Sequence, residues 1–202
     1  TGSPVLDFNR SQIHVVGASV EPQFCEGLVS ELRLQRLIDK GVELARGLVV
    51  AVTGGDDRKN TPRLIRAWGS INGELRKSHQ LVIACAAVPV VQNRWRNIAN
   101  SVGLTERDVV FTDTVTDDEM VALYQSARLS VMPSLEEGFG LPVAEAAACG
   151  CITICSNNSS LPEVIDCDEA LFDANDVLDI ARAIEWALTD NEHRERLRAA
   201  AK

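Results

Sequence analysis

The chain of 202 residues is 46% hydrophobic and 24% charged, ordinary values for a soluble globular domain with one full core. Its net charge of −9 argues against nucleic acid as a partner and leaves no basic patch for anionic lipid, so membrane association is not indicated. No apolar run is long enough to span a bilayer and no N-terminal secretory signal is visible, which makes a cytoplasmic location the expectation.

Short apolar runs alternate with helical patterns along the chain, the order expected of a parallel sheet flanked by helices. The expected buried strands are residues 13–16, 48–53, 81–86, 109–112, 129–132 and 151–155. Thr61-Pro62 opens a helix in which Leu64, Ile65 and Trp68 share one face, leaving Arg63 and Arg66 to solvent. Thr116 to Glu119 is a capping box ahead of Met120, Leu123 and Tyr124. Near the end, Val177, Ile180, Ile184 and Leu188 recur at helical spacing after Asn175-Asp176. The expected division is an N-terminal strand and linker segment over 1–22, a Rossmann-like domain over 23–190 and a C-terminal helix over 191–202.

The most chemically informative stretch runs from Glu137 to Glu145, with Gly138, Phe139, Gly140, Leu141 and Pro142 between them. Gly138 and Gly140 let main-chain N–H groups approach a ligand closely, and Pro142 suits the first turn of a helix that begins near Leu141. The positive end of such a helix receives an anion such as a phosphate oxygen. A glutamate in or near the first turn only accepts hydrogen bonds, so Glu145 matches a pair of adjacent hydroxyls such as a ribose diol. Glu137 lies outside the helix and is free to meet another hydroxylated part of the same ligand. An isolated pair of glutamates is most simply solvated surface, and it is the whole run of carboxylates, glycines and proline that carries the signal.

This stretch, with Ser159-Ser160-Leu161-Pro162-Glu163-Val164 downstream, resembles the donor-site signature of the retaining GT-B glycosyltransferases of family 4. A second match is Thr53-Gly54-Gly55-Asp56-Asp57-Arg58-Lys59-Asn60, which resembles the glycine-rich loop of that family. The resemblance implies an α/β fold, the C-terminal half of a GT-B enzyme, and a nucleotide sugar carrying UDP, GDP or ADP as substrate, without a cofactor or metal. By the same resemblance Glu137 faces the transferred sugar and Glu145 the ribose, while Gly138, Phe139, Gly140 and Leu141 line the sugar and diphosphate. Lys59 would bind the diphosphate, whose growing charge a pre-placed cation stabilises. Arg58 is its neighbour and is expected to point the other way in an extended loop, so that at most one of the two is a confident ligand. Several family members carry an arginine just after the first glycine of this loop, where this chain has Gly55 and Asp56. Thr112 or Asp113, after the fourth expected strand, would meet the base.

What the resemblance implies is metal-independent transfer with retention, in a step of polysaccharide or glycoconjugate biosynthesis. The acceptor-binding N-terminal domain of a GT-B enzyme has no counterpart here, so the chain is expected to be an excised half, inactive or weakly active alone. Two alternatives stand beside it: a nucleotide-sugar epimerase of the same architecture, which the two-glutamate run argues against, and a binding or assembly module without catalysis. His14, His79 and His193 have no carboxylate or cysteine neighbours in sequence that would mark a catalytic or metal site. Cys149, Cys151 and Cys155 lack zinc spacing and read as core thiols, as does Cys85, whereas Cys25 and Cys167 fall in expected loops; all are expected to be reduced.

Overall fold

The computed structural model describes residues 19–200, and the strand expected over 13–16 lies outside them. Six strands form one all-parallel sheet in the order β3-β2-β1-β4-β5-β6. They are β1 (Gly47–Val52), β2 (His79–Ala84), β3 (Val109–Phe111), β4 (Ala127–Met132), β5 (Thr153–Ser156) and β6 (Leu171–Phe172). The α/β class and the flanking helices are as the alternating pattern predicts. Central strands bury both faces, so β1 reads as a continuous apolar run rather than an alternating one, and β4 is buried from Leu129 to Met132 with Ser130 inside that stretch.

Nine α-helices connect and cover the strands among the described residues. On one face α2 (Thr61–Ser70), α4 (Pro89–Ser101) and α8 (Val177–Thr189) enclose a core that includes Trp68, Leu64, Ile83 and Ile154. On the other, α1 (Glu31–Asp39), α5 (Asp117–Ser126) and α6 (Leu141–Ala148) pack over Val50, Val82, Leu123 and Tyr124. Short α3 (Gly73–Ser78) and α7 (Leu161–Ile165) lead into β2 and away from β5. The capping box at Thr116 forms as read, with the Glu119 side chain returning to the Thr116 N–H. Leu64 and Trp68 are buried and Arg66 is exposed, whereas Arg63 is half-buried and donates to the Asn60 side chain.

Most strand ends differ by a residue or two from the apolar-run reading, and three differences are informative. Residues 149–151 complete the end of α6: Gly150, at φ +76°, donates its N–H to Ala147 O and Cys151 donates to Ala146 O, so β5 starts only at Thr153. β2 begins earlier, at His79, directly after α3. The two-residue β6 was not expected, because two residues carry no periodicity. At the C terminus α9 (Asn191–Ala200) packs on α8, with the His193 ring stacked on Trp186 at 3.5 Å. His193 does have a carboxylate partner, Glu169, 3.2 Å from Nδ1 and 24 positions away in sequence. That contact fastens α9 to the sheet side and lies apart from the glycine-rich loops.

One residue ties the C-terminal edge together. Asn60 is left-handed (φ +56°) at the end of the short 3₁₀ turn Asp57–Lys59 and serves as the N-cap of α2. Its buried side-chain amide donates to the carbonyls of Pro133, after β4, at 2.9 Å and of Ala174, after β6, at 2.7 Å. Asn60→Ala should therefore cost about 3 kcal/mol, since two buried carbonyls lose their donor and alanine tolerates the left-handed backbone poorly. Urea unfolding of this variant, with an unchanged denaturant slope, is the measurement that checks it; a midpoint like that of the parent chain rules the tether out.

Candidate functional site

The order of the strands sets the site. From β1 the chain leaves toward β2, and from β4 it leaves toward β5, so the loops after these adjacent strands diverge and open a crevice at the carboxyl edge. Both motif loops are here: Thr53 to Asn60 follows β1, and Pro133 to Gly140 follows β4. A backbone hydrogen bond from Leu135 N–H to Arg58 O, 2.7 Å, joins them below the side chains.

Lys59 and Glu137, 78 positions apart in sequence, meet in this crevice with Nζ 2.7 Å from Oε1. Their side chains are 24% and 11% exposed, so the pair is partly shielded from water. Glu137 is held from beneath: its N–H donates to Ser159 Oγ at 2.8 Å, and its carbonyl accepts from Ser160 Oγ at 3.2 Å. The downstream serine element thus acts as a prop for the Glu137 loop.

The first turn after that loop starts at a glycine with no room for a side chain. Gly140 is the N-cap of α6 at φ +69°, and a Cβ there would lie 2.7 Å from Leu161 Cδ2, so conformation and packing both require glycine. Having no side chain, it offers no side-chain cap, and since Pro142 has no N–H and Val143 N–H donates to Gly140 O at 2.9 Å, the first-turn donor without a partner among the described residues is the Leu141 N–H. Gly138 faces open space, Phe139 is 62% exposed and Leu141 39% exposed. These four residues line an open edge rather than a closed cavity.

Arg58 departs from the extended-loop expectation. The segment is a 3₁₀ turn, in which successive side chains point about 120° apart. Arg58 is exposed and its Nε donates to Asp56 Oδ2 at 2.9 Å, while Asp56 Oδ1 caps the Arg58 N–H. These contacts, first the Arg58 N–H and then its guanidinium, hold the Asp56 carboxyl below its ordinary pKa. Arg58 and Lys59 therefore have separate partners, as expected, for a different geometric reason. The Gly55-Asp56 departure supplies the carboxylate that holds Arg58.

Glu145 is the fifth residue of α6, in its second turn rather than its first. It is half-buried, and burial, reinforced by the carboxylates of Asp117 and Glu21, raises its pKa above the usual glutamate value. The Tyr124 hydroxyl is buried and has no hydrogen-bond partner among the described residues; burial and the Glu145 charge push that phenol well above its ordinary pKa. Thr112 is not brought to the crevice: it follows β3, separated from β1 by β2, and is 2% exposed. Asp113 beside it is exposed at φ +56° and accepts from Gln92 Nε2.

Sequence reasoning missed Asn60 as the tether, although an asparagine ending a glycine-rich loop before Thr-Pro is a signal for a left-handed residue at a helix start. It also missed Asp56, whose role appears only once the 3₁₀ turn is formed. Among the described residues no group of three His, Cys, Asp or Glu side chains is arranged to hold a metal ion, and no helix is long and apolar enough to cross a membrane. The cysteines are free; burial pushes Cys151 and Cys155 up to about 12 and Cys149 to about 11, and Cys25 is exposed.

With this geometry in place, comparison with known proteins is informative. Solved structures share the fold at low identity: WaaG, a glycosyltransferase involved in lipopolysaccharide biosynthesis, superposes with a TM-score of 0.77 at 18% identity, over 96% of this chain and 52% of that one. The catalytic domain of the cholesterol-α-glucosyltransferase from Helicobacter pylori superposes with a TM-score of 0.67 at 19% identity, over 77% and 94%. In sequence the chain is 37% identical over 195 residues to the serotype-specific mannosyltransferase WbdA of Escherichia coli, covering 96% of this chain and 24% of that protein. It is also 33% identical over 150 residues to the O-antigen chain mannosyltransferase B of Escherichia coli, covering 74% and 39%. The chain thus spans about a quarter of the length of WbdA. The family model for glycosyl transferases group 1 matches residues 39–202, and the chain belongs to that family.

Proposed function

We propose that this chain is the nucleotide-sugar-binding domain of a retaining, metal-independent glycosyltransferase that moves a hexosyl group to an acceptor hydroxyl during polysaccharide assembly. The observation that carries the reading is the Lys59–Glu137 contact: the family's cation and its sugar-facing carboxylate converge in one crevice, beside the uncapped start of α6. The mannosyltransferases among the relatives favour a mannosyl donor.

In this reading Lys59 and the α6 N terminus take the diphosphate, and they stabilise the charge that grows on it as the glycosidic bond breaks. Glu137 orients the sugar by its hydroxyls, and Glu145 holds the ribose diol. Gly138, Phe139, Gly140 and Leu141 supply the wall of the sugar and diphosphate pocket. Arg58, engaged by Asp56, is a reserve cation rather than a primary ligand. The sugar passes through an oxocarbenium-like state, and the departing phosphate oxygen removes the proton from the acceptor hydroxyl. Acceptor binding belongs to a second domain facing the crevice, which for these proteins lies N-terminal to the donor half. This chain alone then binds donor weakly and turns over poorly; rapid transfer by the 202 residues alone would overturn that division of labour.

Calorimetry against UDP-, GDP- and ADP-sugars tests the reading directly: one nucleotide series should bind, and binding by none of the three removes it. Lys59→Ala should weaken binding of that donor by about 10- to 100-fold, the scale of a lost charged hydrogen bond. Glu145→Gln separates function from stability. An acid whose pKa is higher folded than unfolded destabilises the fold once both forms are ionised, and this cost shrinks as the pH falls through the raised folded value and is gone below the unfolded one. The variant should thus melt higher than the parent at pH 7, with the difference closing on acidification, while its nucleotide binding weakens. Unchanged nucleotide binding in Glu145→Ala would instead favour a module that has lost catalysis.

A further inference from the structure

The same crevice holds a feature that donor binding alone does not explain: its cation is already occupied. Lys59 Nζ sits 2.7 Å from Glu137 Oε1. Both main chains are fixed by hydrogen bonds, and the two charged ends are joined only to each other among the described residues. Asn60, the residue after Lys59, is clamped to the Pro133 and Ala174 carbonyls, and Ser159 and Ser160 clamp Glu137 on both sides. Arg58 Nε is engaged by Asp56 at 2.9 Å, and no hydrogen bond joins Arg58 to Glu137 among the described residues, so Lys59 is the cation that Glu137 holds.

We propose that Glu137 is an internal competitor for Lys59 and makes the site discriminate in favour of a nucleotide sugar over the nucleoside diphosphate left when the sugar has gone. This rests on the donor-binding reading above. When a nucleotide sugar enters, Lys59 passes to the diphosphate oxygens, and the acceptor-only oxygens of Glu137 are satisfied again by sugar hydroxyls. A bare nucleoside diphosphate brings no such hydroxyls. Glu137 then either keeps Lys59, denying the diphosphate its cation, or surrenders it and remains as an unpaired, mostly buried carboxylate beside further negative charge. Both alternatives weaken binding of the product. After transfer, recapture of Lys59 by Glu137 displaces the diphosphate, so one ion pair prepares the site for the next donor.

The test is a double-mutant cycle on the 202-residue chain, measured by calorimetry with GDP, UDP and ADP and with their sugars. Glu137→Gln removes the competing charge while keeping the side chain's size, and it should bind the cognate nucleoside diphosphate roughly fivefold or more tightly than the parent. Its affinity for the nucleotide sugar should not rise, so the preference for donor over product falls. In a Lys59→Gln background the same substitution should give no gain for the nucleoside diphosphate. A Glu137→Gln variant, melting normally, that binds the nucleoside diphosphate no better than the parent overturns the proposal. So does a gain that persists undiminished without Lys59, since it would then be a general effect of removing negative charge. If the parent chain binds the nucleotide sugar and either of these results is obtained, only this inference falls; if the parent binds neither ligand, the donor-binding reading falls with it.

Discussion

The arrangement at the carboxyl edge depends on Asn60. A parallel sheet whose central strands send their chains in opposite directions leaves a crevice by topology, but topology alone does not set the distance between its walls. The Asn60 amide does so, because it bonds the loop after β1 to the carbonyls after β4 and β6. Its left-handed backbone also ends the 3₁₀ turn and begins α2. Lys59 immediately precedes it, so the reach of the ammonium group to Glu137 is a consequence of that clamp.

Each wall is then stiffened by a different device. On the β1 side Asp56 caps the turn and engages Arg58; on the β4 side two serine hydroxyls grip the Glu137 backbone, and Gly140 permits α6 to start against Leu161. Polar groups at such an edge need partners, and here the motif residues provide them for one another. A fixed backbone around a paired charge lets a site exchange one partner for another without refolding a loop.

The central strands and the Glu137 to Glu145 run were legible in the sequence because their signals are local: apolar runs buried on both faces, glycines at a turn, proline at a helix start. The start of α6 at Leu141 follows from those residues alone. What was not legible depends on contacts between distant segments. Neither the pairing of Lys59 with Glu137 nor the bonds of Asn60 to Pro133 and Ala174 leave any trace in residue spacing. The Asp56 hold on Arg58 is local, yet it was missed because an extended loop was assumed where a 3₁₀ turn forms. Similarly, the partner of His193 lies in another segment, and its burial against Trp186 comes from the docking of α9.

Charge balance gives the final constraint on how this domain meets an anionic ligand. With 29 acidic and 20 basic side chains, the protein's overall field repels a diphosphate rather than steering it. Locally the charges are paired off, Asp56 with Arg58, Glu137 with Lys59 and Asp57 with Arg94 at 3.5 Å, so the crevice presents no surplus of positive charge. On the proposed reading, attraction is therefore short-ranged and directional, supplied by the Leu141 N–H at the α6 start and by Lys59, whose partner Glu137 is exchanged. A strongly basic pocket would hold any polyphosphate; an internally neutralised one rewards only the ligand that satisfies the displaced carboxylate as well. On the proposed reading, this internal neutralisation is the source of the site's selectivity, achieved by penalising the wrong ligand more than by strengthening the right one.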